Sequence, residues 1–329
     1  MPPPPSEPSL EDAYEAATAL APHIVRTPVL GSRDLDARLG VSVRAKAESL
    51  QITGSFKVRG ALNRIRTLDQ AERDRGLITV SAGNAALGAA YAAQLHGCAL
   101  TVVMAESAVR EKRAAAAALG ATVVTEGVRD AAAAFALARR LVAERGLTFI
   151  HPFDDPMVVA GAATATLELL AECPDITRLY VPCSGGGLLA GAAIATRAIA
   201  GHVELVAVQP LGTATLAASL EAGRPVSHRG TGTIVDALTA PMPGELNLRI
   251  ISSASPGIRT VTDEATLAAM ADVARDLRLI VEPAGAIAVA GVKADVADGR
   301  ADGPVGVLLS GSNASWSLLT DVLRDSRPR

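Results

Sequence analysis

Apolar and polar positions divide the chain into short β-branched runs and longer alanine-rich runs, which alternate almost from end to end. This alternation is typical of βαβ units and parallel sheets. Strands are predicted at 77–81, 99–104, 121–125, 147–151, 178–183, 204–208 and 304–310. Helices are predicted near 84–96, 108–118, 129–145, 156–172, 187–200, 263–277 and 284–297. The pattern therefore predicts an α/β fold.

Residues at the ends of these segments support the predicted helices. Gly97, Gly120 and Gly146 stand where helix C-termini are expected, and glycine is favoured there because it adopts the left-handed conformation without strain. Thr262 precedes two acidic residues, which is the pattern of an N-cap followed by an acidic first turn. Local chemistry and periodicity thus indicate the same helices.

The chain is long enough for more than one domain. Its 329 residues predict about two domains, since a domain averages roughly 150 residues. No repeat and no Pro- or Ser-rich linker divides the sequence, so two domains are expected to be interleaved. Residues 205–262 are rich in Gly, Pro and Thr, which indicates loops around a site or an interface. The first eight or so residues are expected to form a tail without regular structure.

Composition excludes several classes of protein. The apolar share of 49% excludes a disordered chain. A net charge of −3 argues against nucleic-acid binding, and an aromatic share of 2% argues against stacking on bases. No apolar run approaches the roughly 20 residues of a membrane span, and the N-terminus lacks the features of a signal peptide. Three cysteines without C-x-x-C spacing indicate a reducing, cytoplasmic location.

Lys57 is the first candidate for chemistry. It lies in Gly54-Ser55-Phe56-Lys57-Val58-Arg59-Gly60, and the chain contains only four lysines among its 31 basic residues. A protein that otherwise uses arginine has a reason to keep an amine where a deprotonatable nucleophile is needed. A solvated lysine at a helix start is the alternative interpretation of this segment.

Ser81-Ala82-Gly83-Asn84 follows a predicted strand and opens a predicted helix. Backbone N–H groups at a helix N-terminus are free to bind a carboxylate or a phosphate. An ordinary turn with a cap would use the same residue types.

Ser184 to Gly191 (SGGGLLAG) also joins a predicted strand to a helix, and its glycines allow the backbone to surround an anion closely. The loop fits the loose G-x-G-x-x-A pattern of dinucleotide-binding proteins. A nicotinamide-dependent dehydrogenase is disfavoured, however, because the next strand ends at Gln209 rather than at an acid for the ribose. The chain also has no P-loop.

Ser310-Gly311-Ser312-Asn313 ends the last predicted strand. Because the carboxyl ends of parallel strands carry the ligand crevice, Ser310 is expected at the same rim as the two loops above. A simple turn is the alternative.

Five segments occur together in the order and approximate spacing of one enzyme family. They read SFKVRGA at 55–61, SAGN at 81–84, SGGGLLAG at 184–191, VEPAGA at 281–286 and LSGSN at 309–313. RTPV at 26–29, HPFDD at 151–155 and VTDEA at 261–265 fit the same pattern. Over about residues 20–315 the sequence resembles the fold-type-II pyridoxal 5'-phosphate (PLP) enzymes, most of all the serine/threonine dehydratase (threonine ammonia-lyase) and serine racemase group.

The resemblance implies a tryptophan synthase beta-like fold of two interleaved three-layer α/β domains with mostly parallel sheets. Residues 1–69 and 151–329 would form the large PLP-binding domain and residues 70–150 the small domain, with PLP between them. It also implies a homodimer acting on a small amino acid.

The resemblance further implies roles for five residues near the cofactor. Lys57 would bind PLP covalently and, once displaced by substrate, remove the α proton. Phe56 would flank the pyridine ring, and Asn84 would form a hydrogen bond with the ring hydroxyl. Ser310 would meet the pyridine nitrogen, where a hydroxyl favours elimination over transamination because it does not hold the nitrogen protonated. Glu282 would lie near the cofactor, although a helix-start carboxylate is the alternative.

Two loops would hold the anionic ends of the bound molecules. The phosphate would lie in the loop formed by Ser184, Gly185, Gly186, Gly187 and Leu188. The substrate carboxylate would lie on the loop formed by Ser81, Ala82, Gly83 and Asn84.

The chain departs from the group's patterns at several polar positions. Racemases of the group carry a second serine where this chain has Ala82, so dehydration is favoured over racemisation. Ala85 and Leu87 stand where the dehydratase loop has His and Gln, and Ala162 and Ala163 lie in AGAAT where AGQGT is expected. These losses of polar groups leave open whether threonine, serine or a less common hydroxy amino acid is the substrate.

No metal site is expected, because Gln209 and Thr215 replace the two carboxylates that bind a divalent cation in some relatives. The sequence thus predicts a PLP-dependent lyase that deaminates a small β-hydroxy amino acid. Racemase and β-replacement synthase activities, a non-catalytic member of the family, and the dehydrogenase remain alternatives.

Overall fold

The computed structural model of the chain describes residues 6–227 and 231–325. Residues 6–8 of the predicted N-terminal tail have no regular secondary structure. Residues 1–5 of that tail, 228–230 of the predicted loop region and 326–329 lie outside the described residues.

The described strands and helices are numbered along the chain. The strands are β1 (Val29–Leu30), β2 (Val43–Lys46), β3 (Leu77–Val80), β4 (Leu100–Val103), β5 (Thr122–Val124), β6 (Thr148–Phe149), β7 (Arg178–Pro182), β8 (Glu204–Pro210), β9 (Gly257–Val261) and β10 (Val305–Leu308). The α-helices are α1 (Leu10–Leu20), α2 (Arg33–Leu39), α3 (Lys57–Arg66), α4 (Gln70–Asp74), α5 (Asn84–Leu95), α6 (Arg110–Ala118), α7 (Ala131–Arg145), α8 (Pro156–Glu172), α9 (Gly187–Ile199), α10 (Leu216–Ala222), α11 (Glu245–Ala254), α12 (Asp263–Leu277), α13 (Pro283–Ala297) and α14 (Trp316–Asp325).

These strands form two sheets. The larger sheet has the order β1-β2-β10-β7-β8-β9, and all its neighbours are parallel except β1 and β2. The smaller sheet has the order β5-β4-β3-β6 and is entirely parallel. All four of its strands come from residues 77–149. The α/β fold with mostly parallel sheets is confirmed, whereas the domain boundaries near 70 and 150 remain predictions.

The larger sheet is the middle of three layers. Along β7, Leu179 and Val181 belong to the apolar cluster formed with α8 and α9, and Tyr180 belongs to the cluster formed with α12 and α13. The helical contact uses small side chains, since Ala163 of α8 and Ala193 of α9 are both buried. Successive side chains of a strand point to opposite faces, so both faces are covered.

Every predicted strand and helix is present in the structure, with ends that differ by a few residues. Gly146 is the C-cap of α7 at φ 69°, and the Thr262 side chain accepts from the backbone N–H of Ala265 at the start of α12. The prediction missed the strands β1, β2 and β9 and the helices α1, α2, α3, α4, α10, α11 and α14, of which α10 and α11 lie in the region interpreted as loops. β1 has only two residues, and β9 begins at a glycine in the region interpreted as loops.

A buried ion network fixes the start of α3. The Arg59 guanidinium is fully buried and donates to Glu48 Oε1 and Oε2 at 2.8 and 2.7 Å and to Glu168 Oε1 at 2.8 Å. Lys46 Nζ lies 2.5 Å from Glu168 Oε2. Burial acts to raise the pKa of Glu48, but the charge of Arg59 holds that pKa below its ordinary value. The network joins α3 to α8 and to the segment after β2.

Among the described helices, none is both long enough and apolar enough to cross a bilayer.

Candidate functional site

The segments singled out in the sequence meet at the carboxyl ends of the strands. A backbone bridge pairs Ser55 with Gly311, and the Phe56 N–H donates to Ser310 O at 3.1 Å. The Asn313 Nδ2 group donates to Asn84 Oδ1 at 2.7 Å. The structure therefore brings the segments of Lys57, Asn84 and Ser310 into one cluster.

Lys57 is the first residue of α3 and is half-buried. Its Nζ donates to Pro152 O at 3.0 Å and lies 5.1 Å from the centroid of the Phe56 ring. Burial lowers the pKa of the amine from 10.5 to about 8. A sizeable fraction of Lys57 is therefore neutral near pH 8, which is the form that acts as a nucleophile or as a base.

Asn84 is held by side chains on both sides of its amide. It opens α5, and its Nδ2 donates to Glu282 Oε1. Asn313 donates to Asn84 Oδ1 and also to Thr53 O at 2.9 Å. These contacts fix the orientation of the amide: Nδ2 of Asn84 faces Glu282 and donates, and Oδ1 faces Asn313 and accepts. Asn313 belongs to the LSGSN motif, but sequence reasoning gave it no role.

Glu282 is buried and does not cap the helix that it precedes. It is the N-cap residue of α13, but its side chain makes no capping hydrogen bond and contacts Asn84 instead. Its Oε2 has no hydrogen-bond partner among the described residues. Burial raises the pKa of Glu282 to about 7. The positive charge of Lys112 acts to lower this pKa, but it does not offset the burial. Lys112 Nζ itself lies 2.5 Å from Asp236 Oδ2. The carboxyl group is therefore partly protonated near neutral pH.

Glu282→Gln is expected to flatten the dependence of stability on pH. Because the pKa of Glu282 is raised from 4.5 to about 7 on folding, its stabilising contribution is complete below pH 4.5 and is lost as the pH rises through 7. Between pH 5 and pH 8, the wild type should therefore lose about 2.5 kcal/mol of its free energy of unfolding through this group, whereas the variant should not. Urea unfolding of the cofactor-free proteins measures this difference.

Glu126→Gln, which changes an exposed carboxylate, is the control and should leave the pH dependence unaltered. Parallel curves for the wild type and Glu282→Gln would contradict the assignment of the raised pKa to Glu282.

The glycine loop after β7 has the geometry of an anion cradle. Gly186 has a φ of 95°, which is the left-handed region that favours glycine, and α9 begins at the next residue. A Cβ on Gly185 would lie 2.5 Å from Cδ2 of Phe153, so that position has no room for a side chain. Ser184 Oγ accepts from the Ala240 N–H at 3.0 Å. The free N–H groups in the first turn of α9 and the positive end of its helix dipole therefore lie at this loop, where they would attract an anion.

Gly186→Ala is expected to lower the free energy of unfolding by about 1–2 kcal/mol, because a Cβ is strained at positive φ. The new methyl group would also lie 3.0 Å from Asn247 Cβ and Ile251 Cδ1. Urea denaturation measures the loss. Gly201→Ala is the matched control, because nothing lies within 4 Å of its Cβ position, and an equal loss in both variants would contradict the strain argument.

The remaining predicted residues lie at the same rim. Ser310 is buried, and its Oγ donates to Ala284 O at 2.9 Å. Ser81 Oγ accepts from the Gly83 N–H at 3.1 Å, which tightens the turn that leads into α5. Ala82 is exposed on this turn, and its side chain is a methyl group without an ionisable proton.

Ala85, Leu87, Ala162 and Ala163, which stand where polar or smaller residues were expected, lie in different environments. Ala85 lines a small cavity beside Lys57. Leu87 packs in the apolar core with α3, and Ala162 and Ala163 pack in the core with α9. Of the four positions, only Ala85 borders the cavity.

His151, which sequence reasoning gave no role, lines the same cavity. Its Nδ1 accepts from the Asp154 N–H at 2.8 Å, and burial together with the charge of Lys57 lowers its pKa to about 4. His151 is therefore neutral near pH 7 and cannot serve as a cation there. The HPFDD motif was the signal that could have identified it.

Gln209 and Thr215, the positions considered for a metal, form part of a helix start. Gln209 Oε1 accepts from the Leu216 N–H at 3.0 Å, and its Nε2 donates to Cys183 O at 3.3 Å. Within the described ranges, no group of three or more His, Cys, Asp or Glu residues is placed to hold a metal ion.

Comparison with known proteins identifies the family. The sequence model of the family described as pyridoxal-phosphate dependent enzyme matches residues 20–311. The L-threonine ammonia-lyase of Thermotoga maritima is 35% identical over 318 residues, which are 96% of this chain and 78% of that protein.

Two solved structures are similar over nearly the whole chain. The threonine deaminase of T.th. matches with a TM-score of 0.88 and 41% identity, covering 94% of this chain and 99% of that one. Maize serine racemase matches with a TM-score of 0.91 and 31% identity, covering 97% and 98%. The chain therefore belongs to the pyridoxal-phosphate dependent enzyme family and has its fold-type-II architecture.

Proposed function

We propose that this protein is a PLP-dependent ammonia-lyase that converts a small β-hydroxy amino acid, such as threonine or serine, to a 2-oxo acid and ammonia. The observation that carries the proposal is the Lys57 amine, with a pKa of about 8, in the same cluster as the Asn84–Glu282 pair. The similarity to an L-threonine ammonia-lyase and to a threonine deaminase supports this reaction. Membership of the family removes the nicotinamide-dependent alternative.

The residues present fit PLP. The left-handed Gly186 and the N-terminus of α9 suit a phosphate, which would be held by the loop from Ser184 to Leu188. The buried Glu282 Oε2, which lacks a partner among the described residues, marks a polar position beside Asn84. Lys57 would hold the cofactor covalently.

Three further positions complete the cofactor site. Phe56 would flank the ring, Asn84 would donate to the ring hydroxyl and Ser310 would face the ring nitrogen. A neutral hydroxyl at Ser310 favours elimination, because a carboxylate there would hold the nitrogen protonated.

The chemistry divides between the cofactor and the chain. Bound PLP supplies an electron-accepting ring that stabilises negative charge at the substrate α carbon. The N–H groups of the loop from Ser81 to Asn84 would hold the substrate carboxylate at the start of α5. Neutral Lys57 would take the α proton onto Nζ, and the ammonium group formed there would give a proton to the β-hydroxyl, which would leave as water. The released enamine then reacts with water to give the 2-oxo acid and ammonia.

Racemisation is the second candidate, because maize serine racemase has the same fold at 31% identity. Racemisation requires a group that delivers a proton to the face opposite Lys57. Ala82 carries no such proton, which supports elimination as the main reaction. A β-replacement synthase and a non-catalytic member of the family are further outcomes that the assay below distinguishes.

The test is product analysis with the purified PLP-loaded protein and a panel of L- and D-hydroxy amino acids. We expect 2-oxo acid and ammonia in equal amounts from one or a few substrates, with little of the opposite enantiomer. Enantiomer without 2-oxo acid would establish a racemase. Products that incorporate an added thiol would establish a synthase, and PLP binding without any product would overturn the lyase.

We also propose that the protein acts in the cytoplasm as a homodimer. Its three cysteines are all free, which suits a reducing compartment. Val25, Leu50 and Ile52 are 40%, 47% and 46% exposed, and Gln51 hydrogen-bonds to the backbone of Val25, so the segments that carry these exposed apolar side chains are adjacent. Sedimentation equilibrium should give twice the mass of one chain, and a monomer mass would contradict the dimer.

A further inference from the structure

The glycine loop is tied to α11 by a side chain that the mechanism above does not use. Asn247 is fully buried, and its Nδ2 donates to Gly185 O at 2.8 Å and to Phe153 O at 3.0 Å. The Gly244 N–H, just before α11, also donates to Gly185 O at 3.0 Å. One amide group therefore joins the loop to residues 151–155.

Asp154 fixes the start of α11 from the same segment. Its carboxylate accepts from the Glu245 N–H at 3.0 Å and from the Asn247 N–H at 3.1 Å. These N–H groups belong to the first turn of α11 and have no acceptor within the helix. Because Asp154 supplies that acceptor, the backbone of Asn247 is held in place relative to Phe153.

The other side of this segment contacts the catalytic lysine. Pro152 O accepts from Lys57 Nζ at 3.0 Å, and Phe153 is the next residue. A continuous series of contacts thus runs from the Lys57 amine through Pro152 and Phe153 to Asn247 and the glycine loop. In the proposed enzyme, PLP would bind at both ends of this series, because Lys57 would hold it covalently and the glycine loop would hold its phosphate.

Asn247 has an unusual balance of hydrogen bonds. Both hydrogens of its amide are donated, but its Oδ1 is buried and accepts no hydrogen bond from any described residue. A buried acceptor without a partner is destabilising, and a leucine of similar shape would avoid that cost. The amide is therefore better explained by its two donated hydrogen bonds than by packing.

We propose that Asn247 is a positioning residue that holds the phosphate loop at the distance from Lys57 at which PLP engages both. The proposal rests on the proposed function. A loop held in this position loses little freedom when the phosphate binds, so it raises the affinity for a phosphorylated ligand. It has little influence on a ligand that lacks the phosphate.

The test compares PLP with pyridoxal, which forms the same bond with lysine but has no phosphate. The full-length protein, freed of cofactor, is titrated with each ligand, and the visible absorbance of the lysine-bound form gives the affinity. Asn247→Leu should weaken PLP binding by at least about tenfold and leave pyridoxal binding within about twofold of the wild type. Asn247→Ser, which keeps one donor, should have an intermediate effect.

The controls separate positioning from general damage. Ser253→Ala changes the last part of α11, where Ser253 contacts Arg197, and should leave both affinities unchanged. An equal loss of PLP and pyridoxal binding in both Asn247 variants, or an unchanged preference for PLP, would overturn the positioning role. If Asn247→Leu does not fold, the same criteria apply to Asn247→Ser. A wild type that binds neither ligand would overturn the proposed function and this proposal together.

Discussion

Lys57→Ala should lose its visible absorbance with PLP and lower the rate of 2-oxo acid release by at least about 1,000-fold. The variant removes the amine that would bind the cofactor and the base that would take the α proton, and a positioned base alone contributes about 100- to 10,000-fold. The amine suits both roles, because burial lowers its pKa to about 8 and leaves it partly neutral in the working range of pH. Absorbance spectra before and after borohydride treatment, together with the 2-oxo acid assay, measure both losses.

Lys293→Ala is the matched control, because Lys293 lies on α13 and pairs with Asp272 at 2.6 Å. It should keep the absorbance and the turnover. If borohydride treatment leaves PLP permanently attached to the wild type but not to Lys57→Ala, the covalent bond is at Lys57. Equal labelling in the two proteins would show that another lysine holds the cofactor.

Arg59→Leu should lower the free energy of unfolding by about 3–5 kcal/mol, the cost of breaking a buried ion pair. The change leaves Glu48 buried and Glu168 partly buried, with Lys46 as the cation that remains in the network. Since the charge of Arg59 holds the pKa of Glu48 low, that pKa should rise in the variant. Urea unfolding measures the loss in stability.

Arg66→Leu provides the comparison on the same helix. Arg66 pairs with Glu15, whose side chain is 67% exposed, and exposed pairs contribute no more than about 1 kcal/mol. A similar loss in Arg59→Leu and Arg66→Leu would show that the buried network does not stabilise α3 in the way described.

Much of the fold could be predicted because parallel strands and alanine-rich helices leave strong local patterns. β7 and α9, for example, follow directly from RLYVPC and SGGGLLAG. The prediction missed α3, which begins at Lys57, although its buried apolar residues Val58, Ala61, Leu62 and Ile65 recur at helical spacing. Gly60 lowers the helix propensity of this short segment, and tertiary contacts add to its stability, since the Arg59–Glu168 contact joins residues 109 positions apart.

The site was predictable as a set of segments but not as a set of contacts. The order of the motifs indicated that Lys57, Asn84 and Ser310 belong together, and the structure places their segments in contact. The orientation of Glu282 toward Asn84 and the two hydrogen bonds of Asn247 join distant parts of the chain. No local pattern encodes them. The same reason explains why Leu87 could not be assigned to the core from sequence.

The position of β10 has a consequence for biosynthesis. This strand is the last in the described part of the chain, yet it lies between β2 and β7 near the middle of the larger sheet. During translation, β2 and β7 lack this neighbour until residues 305–308 have been made. The nascent chain therefore cannot complete the larger sheet, or bring Ser310 to the candidate site, before residues 305–308 have been made, and a chain truncated before this strand would have exposed, unpaired sheet edges.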